Sequence, residues 1–286
     1  MAHPVSRRQL RNLMEAYLIS ILPGFLTGIV LALTGAGGTI IAVPLLMFSL
    51  HLTVAEAAPV GLLAVSLSAG IGAVIAFRQK KVRYRAASLI ALTGALAAPA
   101  GLWAAQHVPN TPLTLLFAGV LIYVAIHMFR HNRLDDDGDV KTSAGPPCRI
   151  NDIDGRLAWN FRCFRALAMS GTMAGFLSGL LGVGGGFVVV PALRKATNLD
   201  MPSIMATSLA IIALISSVGV ISSILIHTLQ WPVAIPFCIG TVAGMLLGRM
   251  FAARFAGQRL QQGFAILAIV VAIAMIIKAA WNVFSI

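Results

Sequence analysis

Charge is scarce in this chain. Asp, Glu, Lys and Arg together make up 10% of its 286 residues, and the acids number 9 against 21 Lys and Arg. That is too little polar character to cover a soluble domain. Cysteine is scarce too. Cys148, Cys163 and Cys238 are an odd number with no CxxC pair, which speaks against both a disulfide framework and a zinc site. Catalytic sets are missing: there is no HExxH, no paired carboxylate within an apolar run, and no Ser, His and Asp at matching depth. An intramembrane enzyme would lack its parts. No catalytic residue, cofactor or metal is expected.

What is present is apolar. The chain is 58% hydrophobic with a mean hydropathy of +0.90, the composition of a polytopic membrane protein. The net charge of +12 comes from clusters lying between long apolar runs, so it marks topology at an anionic leaflet. No run interleaves those cations with aromatics on a polar face, and nucleic acid is not an expected partner. Arg7, Arg8 and Arg11 before an apolar run imitate a signal peptide. That run continues into a glycine cluster, so it reads as a first retained helix.

Apolar stretches fall at about 13–34, 38–50, 54–77, 86–107 and 113–129, and again at about 165–181, 185–193, 203–228, 233–255 and 263–281. The second of each set is short. Sliding the chain by 147 positions superposes Gly24–Leu46 on Gly171–Leu193 with 9 identities in 23, the mark of an internal duplication. The organisation expected is an N-terminal tail (1–12), a first transmembrane repeat (13–130), a polar cytoplasmic linker (131–162) and a second repeat (163–286). The linker carries Asp135, Asp136, Asp137 and Asp139 and then Gly145-Pro146-Pro147. It is too polar to fold alone or cross a bilayer, and its acids lack the spacing and closing Glu of a calcium loop.

The fold class expected is an all-α polytopic membrane protein with two homologous halves. Each half has four long apolar helices plus one short broken or re-entrant helix, giving 8 spans, or 10 if the short helices cross. A helix of 13 residues rises about 20 Å against a hydrocarbon core of about 30 Å, so a short helix cannot span alone. Charge does not separate the schemes. Eight spans with parallel halves put 16 Lys and Arg inside against 5 outside, and ten spans with inverted halves put 17 against 4. Both place Arg78–Arg85 and the linker in the cytoplasm.

The two short stretches open on glycine clusters: Gly35-Ala36-Gly37-Gly38-Thr39, running to Val43-Pro44, and Gly182-Val183-Gly184-Gly185-Gly186, running to Val190-Pro191. Consecutive glycines break a helix, and in lipid such a break survives only buried in protein or beside a polar cavity. The restarting helix then points free N–H groups and a positive dipole end inward, which suits an anion. These are no nucleotide loops, because no Lys-Ser or Lys-Thr follows them. Prolines Pro44 and Pro191 limit or kink the short helices.

Hydroxyls at Ser66, Ser68, Thr207 and Ser208, with Ser216 and Ser217 further on, either bond their own helix or give an anion neutral hydrogen bonds. Arg249 is the best cationic contact, though near a helix end it can also snorkel. Thr53 and Glu56 have capping-box spacing, and Asp200 is placed to open the matching helix of the second half. Glycines four apart, as at Gly24 and Gly28, Gly175 and Gly179, or Gly240, Gly244 and Gly248, let helices approach closely. His51, His107 and His227 and the tryptophans Trp103, Trp231 and Trp281 lie at segment ends, as interfacial residues do.

At these residues the chain resembles the sulfite exporter TauE/SafE family of membrane permeases. The resemblance rests on two Gly-Phe-Leu-(Thr/Ser)-Gly phrases, Gly24–Gly28 and Gly175–Gly179, and on the glycine clusters running into Val-Pro. Ala206-Thr207-Ser208-Leu209 and Gly248-Arg249 before Ala252-Ala253-Arg254 add to it. It implies a secondary carrier of sulfite, thiosulfate or sulfonates in the bacterial cytoplasmic membrane. The first half departs from the pattern at Thr39 and at Ala58-Pro59-Val60-Gly61. The substrate-binding residues expected are Gly35, Gly37, Gly38, Thr39, Gly182, Gly184, Gly185, Gly186, Ser66, Ser68, Thr207, Ser208 and Arg249. The partners expected are a small anionic solute and the lipid bilayer, with a homo-oligomer left open. The rival readings are an anion channel, a permease subunit needing a partner, and a membrane assembly factor or enzyme.

Overall fold

The computed structural model describes residues 7–34, 38–79, 82–134, 148, 160–197, 199, 201–255 and 258–284. These form ten helices: α1 (Arg7–Thr34), α2 (Gly38–Ser49), α3 (Val54–Arg78), α4 (Tyr84–His107), α5 (Asn110–Leu134), α6 (Phe161–Leu181), α7 (Gly186–Ala196), α8 (Met201–Leu225), α9 (Trp231–Phe255) and α10 (Gln258–Phe284). The fold is all-helical among the described residues, with one isolated backbone bridge between Cys148 and Thr197. Five helices (α3, α4, α6, α8 and α9) contain stretches long and apolar enough to cross a membrane. α5 continues to Leu134, so residues 131–134 of the expected linker are helical.

Helix ends follow local chemistry. Thr53 and Glu56 make the expected capping box at α3: the Thr53 N–H donates to Glu56 Oε2 at 2.9 Å, and Thr53 Oγ1 accepts from the Glu56 N–H at 3.3 Å. The Val54 N–H donates to Asn110 Oδ1 at 3.1 Å, joining the starts of α3 and α5. Asn160 caps α6. Asp200, expected to open α8, lies outside the described residues, as does the side chain of Trp281.

The glycines spaced four apart set the closest helix pairs. A Cβ at Gly24, Gly28 or Gly248 would collide with Phe237, Thr241 or Ala32 across the α1–α9 contact. One at Gly171, Gly175 or Gly179 would collide with Ile90, Gly94 or Ala98 of α4. Residue numbers climb together in both pairs, so α1 runs parallel to α9 and α4 parallel to α6. The central pair is opposite. Leu62 of α3 sits against Gly219 of α8, while Gly72 of α3 sits against Leu209, so α3 and α8 are antiparallel. α5 and α10 are antiparallel too, since Asn110 and Thr114 at the start of α5 share a small cavity with Lys278 and Ala279 near the end of α10. Exchanging α1–α5 with α6–α10 maps these pairings onto themselves.

The cysteine expectation is corrected. Cys148 and Cys163 form a disulfide with Cα atoms 5.1 Å apart, and Cys238 is free and buried in α9. The pairing escaped the sequence because 15 residues separate the two. It depends on Cys148 lying beside both the first turn of α6 and the end of α7.

Candidate functional site

The site is the interruption between α6 and α7. α6 ends at Leu181, and Gly182, Gly184 and Gly185 adopt φ of 71°, 66° and 68°, conformations that cost a side-chain-bearing residue about 1–2 kcal/mol each. The Gly182 N–H caps α6 by donating to the Ser178 carbonyl at 2.8 Å. Gly185 is the N-cap of α7, and its carbonyl accepts from the Val188 and Val189 amides. Between these bonds, the N–H groups of Val183 to Phe187 have no backbone acceptor among the described residues. Every residue from Leu181 to Phe187 is buried. The positive end of α7 is therefore held inside protein rather than against lipid.

Its depth follows from its neighbours. A Cβ at Gly184 would lie 3.0 Å from Ser216 Oγ and 3.1 Å from both Ile212 Cγ2 and Val65 Cγ1. Val65 and Ile212 are each twelfth in helices of 25 residues. The break thus sits half-way along the antiparallel α3–α8 pair, and Gly182 packs against Ala58, nearer the start of α3.

Three serine hydroxyls, Ser68, Ser178 and Ser216, are buried and have no hydrogen-bond partner among the described residues. Ser216 faces Gly184 directly. Ser68 lies one turn from Val65 on the same side of α3, and Ser178 lies one turn before Gly182. Buried hydroxyls are normally satisfied, so the Ser216 hydroxyl beside a run of free amides, with Ser178 and Ser68 each within a turn of residues at the break, makes a set of neutral donors. That set suits an anion, whose acceptor oxygens it matches, better than a cation.

The structure sorts the expected residues. Gly182, Gly184, Gly185 and Gly186 form the break, and Ser68 lies on α3 one turn past Val65, which packs against Gly184. Ser66 and Ser208 do not contribute free hydroxyls, because they donate to Leu63 O at 3.0 Å and Met205 O at 2.9 Å. Thr207 donates to Ser203 O at 2.6 Å and accepts from the Arg83 N–H at 3.2 Å, which places it near the end of the bundle. Arg249 is half-buried, and its Nη1 donates to the Gly72 carbonyl at 3.2 Å. Gly72 is seven residues past Val65, about 10 Å along α3. Gly38 is buried at the start of α2 against Leu31 of α1. Gly35, Gly37 and the side chain of Thr39 lie outside the described residues.

Ser178 was not singled out from the sequence. Its signal was its place inside the Gly175–Gly179 phrase, four residues before the first glycine of the break. Thr27, at the same place in the Gly24–Gly28 phrase, instead donates to Pro23 O at 2.8 Å.

Comparison with known proteins bears on what such a site handles. The family described as "Sulfite exporter TauE/SafE" matches residues 20–275. A "Probable membrane transporter protein" of Xylella fastidiosa strain 9a5c is 32% identical over 269 residues, covering 92% of this chain and 95% of its own. Two more distant relatives carry similar names. "Probable membrane transporter protein YunE" of Bacillus subtilis is 25% identical over 82% of this chain and 87% of its own. "Probable membrane transporter protein MJ0441" of Methanocaldococcus jannaschii is 27% identical over 73% and 72%. No solved structure matches.

Proposed function

Because this chain belongs to the sulfite exporter TauE/SafE family and is a multi-pass membrane transporter, we propose that it is a secondary carrier exporting small sulfur-containing oxyanions. Sulfite, thiosulfate and sulfonates are the candidate substrates, and the bacterial cytoplasmic membrane is the location. The observation that carries this reading is the buried α6–α7 break, with its run of free amides and the partnerless Ser216 hydroxyl. A sulfur oxyanion offers several acceptor oxygens at once. Neutral donors bind it without the barrier to release that a buried cation would impose.

The chain directions support the two inverted halves, 13–130 and 163–286, of the ten-span scheme. Eight spans with parallel halves would run α3 and α8 the same way, whereas they run oppositely. In the ten-crossing arrangement the short helices α2 and α7 return toward the side from which α1 and α6 came. Each hairpin, α1–α2 and α6–α7, then leaves on the face it entered; with its tip at mid-depth α6–α7 reaches only half-way, and every other segment keeps the side that the ten-span count gives it. The 17-to-4 partition of Lys and Arg puts the base of α6–α7, Arg249 and the 131–162 linker in the cytoplasm. Arg249, between the cytoplasm and the break, would receive an anion on its way to the amides. Alternating access would come from one half rocking against the other.

Purified protein in liposomes, loaded with sulfite and assayed for counterflow of labelled sulfite without nucleotide, tests the reading. Saturable counterflow, competed by thiosulfate or sulfonates more strongly than by chloride, is the expected result. Flux without saturation would make it a channel, dependence on added ATPase a subunit, and absence of flux a non-transporting protein.

A further inference from the structure

The two arms of the α6–α7 hairpin are tied together at their base by a residue that belongs to neither. Cys148 is fully buried, and its Sγ is bonded to Cys163, the third residue of α6, itself 1% exposed. On its other side, the Cys148 N–H donates to the Ala196 carbonyl at 2.9 Å and Cys148 bridges to Thr197, the C-cap of α7. Ala196 and Thr197 are buried with it. One residue therefore spans from the start of the outgoing arm to the end of the returning arm. A single covalent bond closes the span. At the far end of those same arms lie Gly182–Gly186 and Ser178.

The orientation proposed above places this base in the cytoplasm, where thiols are ordinarily kept reduced and a disulfide is usually transient or sensing. Resting on that reading, we infer that Cys148–Cys163 is a thiol–disulfide modification site that clamps the base of the α6–α7 hairpin and so sets the rate of transport. Its reductant is a small or protein dithiol. One thiolate of the dithiol attacks a cysteine sulfur, the Sγ–Sγ bond breaks, and a mixed disulfide forms. The second thiol of the reductant resolves it. The protein gains two electrons and two protons as the Cys148 and Cys163 thiols, and the reductant leaves as its own disulfide. Exchange with a low-molecular-weight disulfide runs the step backward. Because both sulfurs are buried, attack requires the Cys148–Ala196 hydrogen bond to open first, which makes the site slow to respond.

With the clamp formed, the arms cannot separate at their base, and a hairpin that must shift for its tip to change access is held in one arrangement. Reduction leaves one backbone hydrogen bond and a bridge in place of the covalent tie. No described residue plays this part for α1–α2, whose short arm is secured by a lysine instead.

The test uses the full chain in proteoliposomes, with Cys238→Ser as background so that only the pair can react. Thiol labelling with a maleimide polymer after unfolding in detergent, of samples taken before and after dithiothreitol, reads the redox state, and sulfite counterflow reads the rate. We expect no labelling before reduction and two thiols after, with counterflow severalfold faster in the reduced protein. Cys148→Ser and Cys163→Ser should run at the reduced rate whether or not oxidised glutathione is added. Thiols that label without reductant after treatment with oxidised glutathione would overturn the inference. So would a complete change of redox state with unchanged counterflow, or a redox response that persists in either serine variant. If no preparation moves sulfite, the carrier reading has failed by itself. Hydrogen exchange at the Ala196 and Thr197 amides then decides the clamp: faster exchange on reduction upholds it, and unchanged exchange overturns it.

Discussion

The two short helices, α2 and α7, are each held near their last turn, by different chemistry. α1 ends at Thr34 and α2 begins at Gly38, and the returning arm α2, Gly38–Ser49, carries no basic residue in its last turn. Leu46 O accepts from the Leu50 N–H at 3.0 Å and Leu45 O from Ser49 Oγ at 2.6 Å, but the arm has no cation of its own at its negative dipole end. Lys278 of α10 supplies the cation, donating from Nζ to the Met47 carbonyl at 3.0 Å with the ammonium 5.3 Å from the Phe48 ring centre. In α6–α7 the returning arm carries Arg194 and Lys195 in its own last turn, and the external anchor is Cys148. A half-length helix has little of its own to hold it in register. Both returning arms are tethered near their C-terminal end, one ionically and one covalently.

The largest effect should come from the break itself. Gly182→Ala combines a φ of 71° with a Cβ driven into the Ala58 backbone. Left-handed strain and overpacking together should cost about 3 kcal/mol or more. The expected outcome is poor recovery of folded protein in detergent and no counterflow. Gly263→Ala, where a Cβ meets nothing within 4 Å, should melt like the parent.

Next is the ionic tether. Lys278→Met keeps the stem and removes the donor to Met47, so the thermal midpoint should fall by the equivalent of about 1–2 kcal/mol. Lys278→Arg should recover part of it. If Lys278→Met melts unchanged, the two hairpins are not equivalently tethered.

Ser216→Ala should divide stability from binding. The hydroxyl has no partner to lose, so the melting point should hold, while the KM for sulfite counterflow should rise about tenfold, the loss of one hydrogen bond to a charged group. Ser217→Ala, whose hydroxyl donates to Ala213 O at 2.6 Å, should leave KM alone. Equal effects from both would argue against an anion at Gly184.

Smallest is Thr53→Ala at the start of α3. Losing the capping box should cost about 1 kcal/mol, seen as a modest drop in melting temperature. Transport should be unaffected, because Thr53 lies 12 residues before Val65 on the helix that the break contacts.

Much of the fold was legible. Apolar runs gave all ten helices, because in lipid a continuous apolar segment has no conformation that satisfies its backbone as well as a helix does. Glycines four apart marked the α1–α9 and α4–α6 contacts, since only a missing Cβ lets main chains touch. The site was legible as a place but not as a set of side chains. Ser66, Ser68, Thr207 and Ser208 look alike in sequence, yet only Ser68 keeps its hydroxyl off its own helix. The difference lies in a rotamer set by what packs opposite.

Composition and glycine punctuation by themselves determined that the chain lies in a membrane, where its helices run, and where two of them must break. They could do so because bilayer thickness and backbone hydrogen bonding are local constraints, felt one segment at a time. Only the tertiary structure decided that α3 and α8 run oppositely, that Ser216 meets Gly184, and that Cys148 reaches Cys163. Each of these joins segments distant in the chain, and their encounter depends on how whole helices pack, which no single stretch encodes.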